Sequence, residues 1–185
     1  MYSQHMNVLI TGANGGLGAA VSRAFLAEGA PVIGAARSWD KSRDQPARFR
    51  AVSADVSTRE GCDAMVRQAL EHGPLDALVH LVGGFAGGSP VAETSDETWD
   101  SMLNVNLRTA FCAMRAALKP MLAASRGRIV TVGSRAAVQP APGSGASSQM
   151  LPPIKSARRL LMARPSPVPP YCRVVEASTW VHLLN

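Results

Sequence analysis

Long apolar runs are missing from this chain of 185 residues: none approaches the roughly 18 consecutive residues needed to cross a membrane. Residues 1–7 hold no apolar export segment ahead of the first hydrophobic run, so the default expectation is a cytoplasmic protein with no membrane partner. Cysteine is scarce and odd in number. Cys62, Cys112 and Cys172 stand far apart and form no C-x-x-C pair, which argues against disulfides and thiolate metal centres and leaves idle or buried thiols. Acid is nearly absent from the C-terminal part, where Lys155, Arg158, Arg159, Arg164 and Arg173 face only Glu176. The net charge of +6 is therefore concentrated there, but no nucleic-acid module accompanies it, so a solvated basic tail is expected and no nucleic-acid partner. What remains is ordinary for one globular domain: 46% of residues are hydrophobic, and a fold of this length buries about 70% of its unfolded surface.

Short apolar runs alternate with helical patterns as far as about residue 134, as a parallel βαβ sheet requires. Strands are expected near 6–11, 31–36, 49–53, 75–82 and 128–133, and helices near 16–28, 58–72 and 96–123. The longest helix opens on Thr94-Ser95-Asp96-Glu97, which fits a capping box. Its stripe of Leu103, Leu107, Phe111, Met114, Leu118 and Leu122 is expected to pack on the sheet, and Pro120 suggests a kink or an end near Lys119. Six prolines follow residue 146, at positions 152, 153, 165, 167, 169 and 170. They leave room for one short helix over 154–163 and an edge strand at best over 171–175.

The most informative stretch is TGANGGLG, residues 11–18, because the apolar Val8-Leu9-Ile10 precedes it and an amphipathic segment follows. Glycines at 12, 16 and 18 permit a tight turn with positive φ and close approach of the backbone to a pyrophosphate, toward which the helix start directs free N–H groups. The spacing G-x-x-x-G-x-G resembles that of the short-chain dehydrogenase/reductase family, and further family-like signals recur in order over residues 7–146. The resemblance implies an α/β fold, a doubly wound parallel sheet of Rossmann type truncated after its fifth strand. It divides the chain into an incomplete nucleotide-binding domain, 1–146, and a divergent tail, 147–185.

Carried over position by position, the resemblance assigns Gly12, Asn14, Gly16 and Leu17 to the cofactor. At the end of the second strand, where family members that prefer NAD place an acid for the ribose 2′-hydroxyl, stand Ala36 and Arg37. A guanidinium grips a 2′-phosphate that an acid would repel, so NADP is expected over NAD, unless Arg37 is only a solvated loop charge. Asp55 and Val56 match the family's adenine contact, with a helix cap as the other reading of Asp55. Gly83 keeps the glycine of the family's N-N-A-G run, while His80 and Leu81 replace its asparagines, and a histidine ending a buried strand reads as a satisfied core residue. Asn106 matches the asparagine that helps order a proton-relay water, and Ser134 matches the serine that orients the substrate carbonyl.

The pattern then breaks. The family moves hydride between nicotinamide and a carbonyl carbon of a small-molecule substrate, with a tyrosine exchanging the proton and a lysine four residues later lowering that tyrosine's pKa across one helix face. Gly143-Ser144-Gly145-Ala146 matches the approach to that tyrosine, but Ser147 and Leu151 occupy the two positions; Lys155 is displaced by four and Tyr171 has no lysine partner. The resemblance therefore implies an oxidoreductase that lacks its proton-transfer pair. Two explanations stand: residues 147–185 come from a frameshift of a full-length reductase gene, or the protein is a diverged NADP binder without catalysis. A protein interacting through its basic tail is a third. Loss of the sixth and seventh strands would leave the fifth strand as an edge and the long helix uncovered, which predicts aggregation or a homo-oligomer.

Overall fold

The computed structural model describes residues 6–39, 45–87, 90–133 and, by backbone alone, 172–176. Three strands are buried along their whole length: β1, Val8–Thr11, β2, Val32–Ala36, and β4, Ala77–His80. Unbroken apolar sequence there is what strands covered on both faces require. β5, Gly127–Thr131, alternates buried and more exposed positions, and β3, Phe49–Ser53, is buried at Phe49 and Val52 only. All pair in parallel, in the order β3-β2-β1-β4-β5-β6. The five expected strands are present, and the fold is the Rossmann-type sheet foreseen.

Beside the five expected strands runs one further parallel strand, the edge strand that the sequence allowed near 171–175: β6, Cys172–Glu176, pairs with β5 from Gly127 opposite Cys172 to Thr131 opposite Glu176. The physical reason is that a bare edge of N–H and C=O groups is satisfied by a segment rich in β-branched residues, Val174-Val175. β6 is the new edge, consistent with the edge position that its proline-rich approach allows. The short helix expected over 154–163 lies outside the described residues.

Helices cover both faces of the sheet. Leu9, Ile33, Leu78 and Ile129 point to one side, where α2, Arg59–Leu70, contributes Cys62, Met65, Val66 and Ala69 to a common core. Val8, Ile10, Val32 and Val79 point to the other, where Val21, Phe25 and Leu26 of α1, Gly16–Ala27, pack against them. Alternation of period two thus assigns neighbouring residues of one strand to different cores. The strand order reverses between β1 and β4, which opens a crevice beyond their C-terminal ends.

The longest helical stretch has three parts: α3, Asp96–Met102, a π-helical turn at Leu103–Arg108, and α4, Thr109–Ala123. Its cap is Ser95, whose hydroxyl accepts from the Thr98 amide at 3.3 Å, while Thr94 donates to the Pro90 carbonyl. Capping therefore falls one residue later than the expected box. The helix also continues through Pro120 to Ala123 rather than ending near Lys119.

The apolar stripe is corrected as well. Cys112, Ala113, Ala116, Ala117 and Met121 face the sheet; Met114 and Leu118 pack partly against that core, whereas Leu107, Phe111 and Leu122 are exposed at 37%, 54% and 57%. Small side chains let α4 lie close to the strands, and the wider π turn rotates the phase of α4 by about 100° per added residue. Arg115 covers the exposed Phe111 ring at 5.0 Å. Cys62 and Cys112 are free and buried, as idle thiols should be, and burial pushes the Cys62 thiol up to about 12.

Candidate functional site

β1 runs out at the crevice into the glycine turn. Gly12 adopts φ 71°, a left-handed conformation that side chains disfavour, and its N–H donates to the Ala35 carbonyl at 2.8 Å. The Gly15 amide closes the turn on the Gly12 carbonyl at 3.0 Å. α1 then begins at Gly16 with Gly15 as its cap residue, so no side chain covers the first free N–H groups. A Cβ built on Gly18 would stand 2.1 Å from the Gly12 carbonyl oxygen, so Gly18 is glycine because the helix sits on the turn. A Cβ built on Gly16 would meet nothing within 4 Å. Protein packing does not account for that glycine. Leu17, expected in the same contact, is 54% exposed beside it.

The turn is tied to the end of β2, where the Asn14 side-chain amide donates to the Ser38 carbonyl at 3.1 Å, next to the exposed Arg37. Asp55 follows β3. Its Oδ1 accepts from the Ser57 amide at 2.9 Å and the Ser57 hydroxyl at 2.7 Å; these bonds, with the Arg37 charge, hold its carboxyl below the usual range. The cap of α2 is Thr58, which accepts from the Gly61 amide at 3.0 Å, so Asp55 is not the cap residue. Val56, expected beside Asp55 in the same contact, buries its side chain in the core.

Beyond β4, Asn106 holds the Gly83-Gly84 segment. Its Oδ1 accepts from the Gly84 amide and its Nδ2 donates to the Gly84 carbonyl, both at 3.0 Å, with a further bond to the Met102 carbonyl. The residue expected to order a relay water thus spends its side chain on the loop beside the crevice. A Cβ on Gly83 would lie 3.0 Å from Asn106 Oδ1, a contact tight enough to press on that side chain. His80 is buried between Thr11 and Thr109, and desolvation pulls its pKa down to about 4, so the ring is neutral and hydrogen-bonded as a core histidine should be. Ser134 and positions 143–155 lie outside the described residues, as does Tyr171. The links from Asn14 to Ser38 and from His80 to Thr11 and Thr109 were missed by sequence reasoning, because no local spacing encodes them.

A doubly wound parallel sheet with an uncapped glycine turn at its switch point defines a nucleotide-binding domain of Rossmann type. The chain belongs to the short-chain dehydrogenase family, whose model matches residues 6–148. It is similar to the uncharacterized oxidoreductase YvrD of Bacillus subtilis (strain 168), 35% identical over 141 residues, covering 73% of this chain and 53% of the relative. It is also similar to the short-chain dehydrogenase/reductase olcF of Penicillium canescens, at 33% identity over 71% of this chain and 52% of that one. The chain thus spans about half the length of these curated relatives. Among solved structures, ElxO with NADP bound superimposes with a TM-score of 0.73 at 27% identity, covering 78% of this chain and 61% of that one. A short-chain dehydrogenase from Leptospira borgpetersenii shares the fold at TM-score 0.80 and 22% identity, over 95% of this chain and 72% of its own. Among the described residues, no helix is long and apolar enough to cross a membrane.

Proposed function

We propose that this chain binds NADP through the glycine turn and is a short-chain reductase by descent whose present sequence lacks the proton-transfer pair. The observation that carries the reading is Gly16, a glycine facing open space at an uncapped helix start. Gly12 and Gly16 would take the pyrophosphate, Leu17 the nicotinamide side of the turn, Asp55 and the Val56 main chain the adenine, and Gly83 the ribose approach. When bound, the nicotinamide supplies the hydride for a carbonyl substrate or receives it from an alcohol. The chain's own residues bind and orient that group, and Asn106 holds the loop beside it. Ser134 is assigned to orienting the substrate carbonyl.

The preference for NADP over NAD rests on Arg37, exposed beside the Asn14–Ser38 link and close enough to Asp55 to act on its carboxyl. ElxO, similar in fold and 27% identical, carries NADP in its solved structure. Losing a charge-assisted contact to the 2′-phosphate removes about 1.5–3 kcal/mol. Arg37→Ala is therefore expected to weaken NADPH binding about 10- to 150-fold, with NADH affinity little changed, by fluorescence titration. Equal effects on both cofactors, or none, would overturn the assignment.

The exposed stripe on the long helix supports a homo-oligomer. Leu107 and Phe111 line a groove with Leu103 and Asn104, flanked by Asp100 and Arg108. Opposite charges eight residues apart on one helix face meet their opposites when a second copy packs antiparallel, which is the self-complementarity of a two-fold interface. Phe111→Asp should turn a dimer into a monomer in light scattering after gel filtration. A wild-type chain that is already monomeric and folds cooperatively would sink the oligomer.

A further inference from the structure

We infer that His80 is a positioning residue: through a one-way hydrogen-bond chain, with its ring in the Nε2–H form, it locks the π turn that carries Asn106 against the end of β1. The direction of the chain follows from the fixed group at its Thr109 end. The Leu81 amide donates to Thr11 Oγ1 and to the Thr11 carbonyl, both at 3.3 Å, which leaves the Thr11 hydroxyl hydrogen available for His80 Nδ1 at 2.8 Å. At the other end the Val105 carbonyl can only accept, and it takes the Thr109 hydroxyl hydrogen at 2.7 Å. The Thr109 oxygen then has nothing left to give to His80 Nε2 at 3.4 Å and must accept from it. A neutral imidazole has one N–H. The Thr109 end places it on Nε2, which leaves Nδ1 bare to accept from the Thr11 hydroxyl, and burial keeps the ring neutral.

The three tied segments are those of the candidate site. Thr11 immediately precedes Gly12, His80 leads into Gly83-Gly84, and Val105 and Thr109 bracket Asn106 in the π turn and just past it. Asn106 clamps Gly84 from one side by two bonds at 3.0 Å. His80 fixes the turn that carries the clamp from the other side, so the glycine turn and the β4 loop are held at one spacing. The role in placing a cofactor rests on the proposed NADP site, whereas the ring form and the clamp are properties of the ligand-free chain.

The test is nitrogen NMR of the histidine-labelled full chain together with the Asn106 side-chain amide resonances in Thr109→Val and Thr109→Ser. The expected result is a bare Nδ1 and a protonated Nε2 for His80, unchanged between about pH 8 and 5. Asn106 amide signals should shift in Thr109→Val and return in Thr109→Ser, and NADPH binding should weaken about three- to tenfold in the valine variant only. A proton on Nδ1, or Asn106 signals indifferent to Thr109→Val, overturns the inference. Should the valine variant not fold, the wild-type ring form and the serine variant decide it. If the wild-type chain shows the expected ring form and Asn106 response but no NADPH affinity, the cofactor site falls and the positioning role stands.

Discussion

Gly18→Ala should lower the melting temperature by about 5–10 °C, while Gly16→Val, two residues away, leaves melting within about 2 °C and lowers NADPH affinity at least about 30-fold. The two glycines differ in what surrounds the missing Cβ. At Gly18 the methyl would lie 2.1 Å from the Gly12 carbonyl oxygen and 2.6 Å from Ala13 Cα, both main-chain atoms of a turn already closed by Gly15. No side chain can swing aside, so either α1 shifts off β1 or the turn opens. Overpacking of this kind costs about 1–3 kcal/mol or more, a large part of a stability of about 5–15 kcal/mol. At Gly16 an added Cβ meets nothing within 4 Å, so a larger side chain there extends from open space beside the uncapped amides. Thermal melts and NADPH titrations of both variants separate fold from site: a Gly16→Val chain that keeps wild-type affinity removes the turn as the cofactor site, and a Gly18→Ala chain that melts like wild type contradicts the packing.

The glycine turn was legible because its determinants are local. Apolar runs set β1, β2 and β4, and a glycine at each needed position identifies the turn without any distant contact. The π turn was not legible in this way. Leu103–Arg108 holds no glycine or proline, and the features that accompany it are contacts with another part of the chain, Asn106 with Gly84 and Thr109 with His80. An unbroken helical period therefore assigned Leu107, Phe111 and Leu122 to the sheet, when the rotated helix turns its small residues inward. The sixth strand was seen as a segment but not placed, because pairing with β5 spans more than forty residues and leaves no local trace. His80 was read correctly as a satisfied core residue. Its partners stand 69 and 29 positions away, so its link between β1 and the helix required the fold.

Carbonyl reduction by this chain is expected to run about 10² to 10⁴ below the roughly 10 s⁻¹ typical of enzymes, even at saturating NADPH. Hydride transfer to a carbonyl leaves an alkoxide that must be protonated as it forms, and the family pattern places a phenol for this at position 147 and an ammonium at 151 to bring its pKa toward neutrality. Ser147 offers a hydroxyl far too weak an acid for that task, and Leu151 contributes no charge to change it. The proposed cofactor contacts lie on other residues, those of the turn, so affinity and turnover should separate if that assignment holds. The measurement is NADPH oxidation with a panel of small aldehydes and ketones, beside the NADPH dissociation constant of the same preparation. Tight binding with turnover of about 10⁻¹ to 10⁻³ s⁻¹ is the expected pair, and turnover near 10 s⁻¹ would require a proton donor other than the family's tyrosine. The nucleotide sequence beyond the Ala146 codon then distinguishes the two origins. A tyrosine codon at once in another frame, followed by a lysine four codons later, makes this chain a shifted reading of a complete reductase. Their absence in every frame makes Ser147 and Leu151 genuine, and the protein a cofactor binder that has lost its acid.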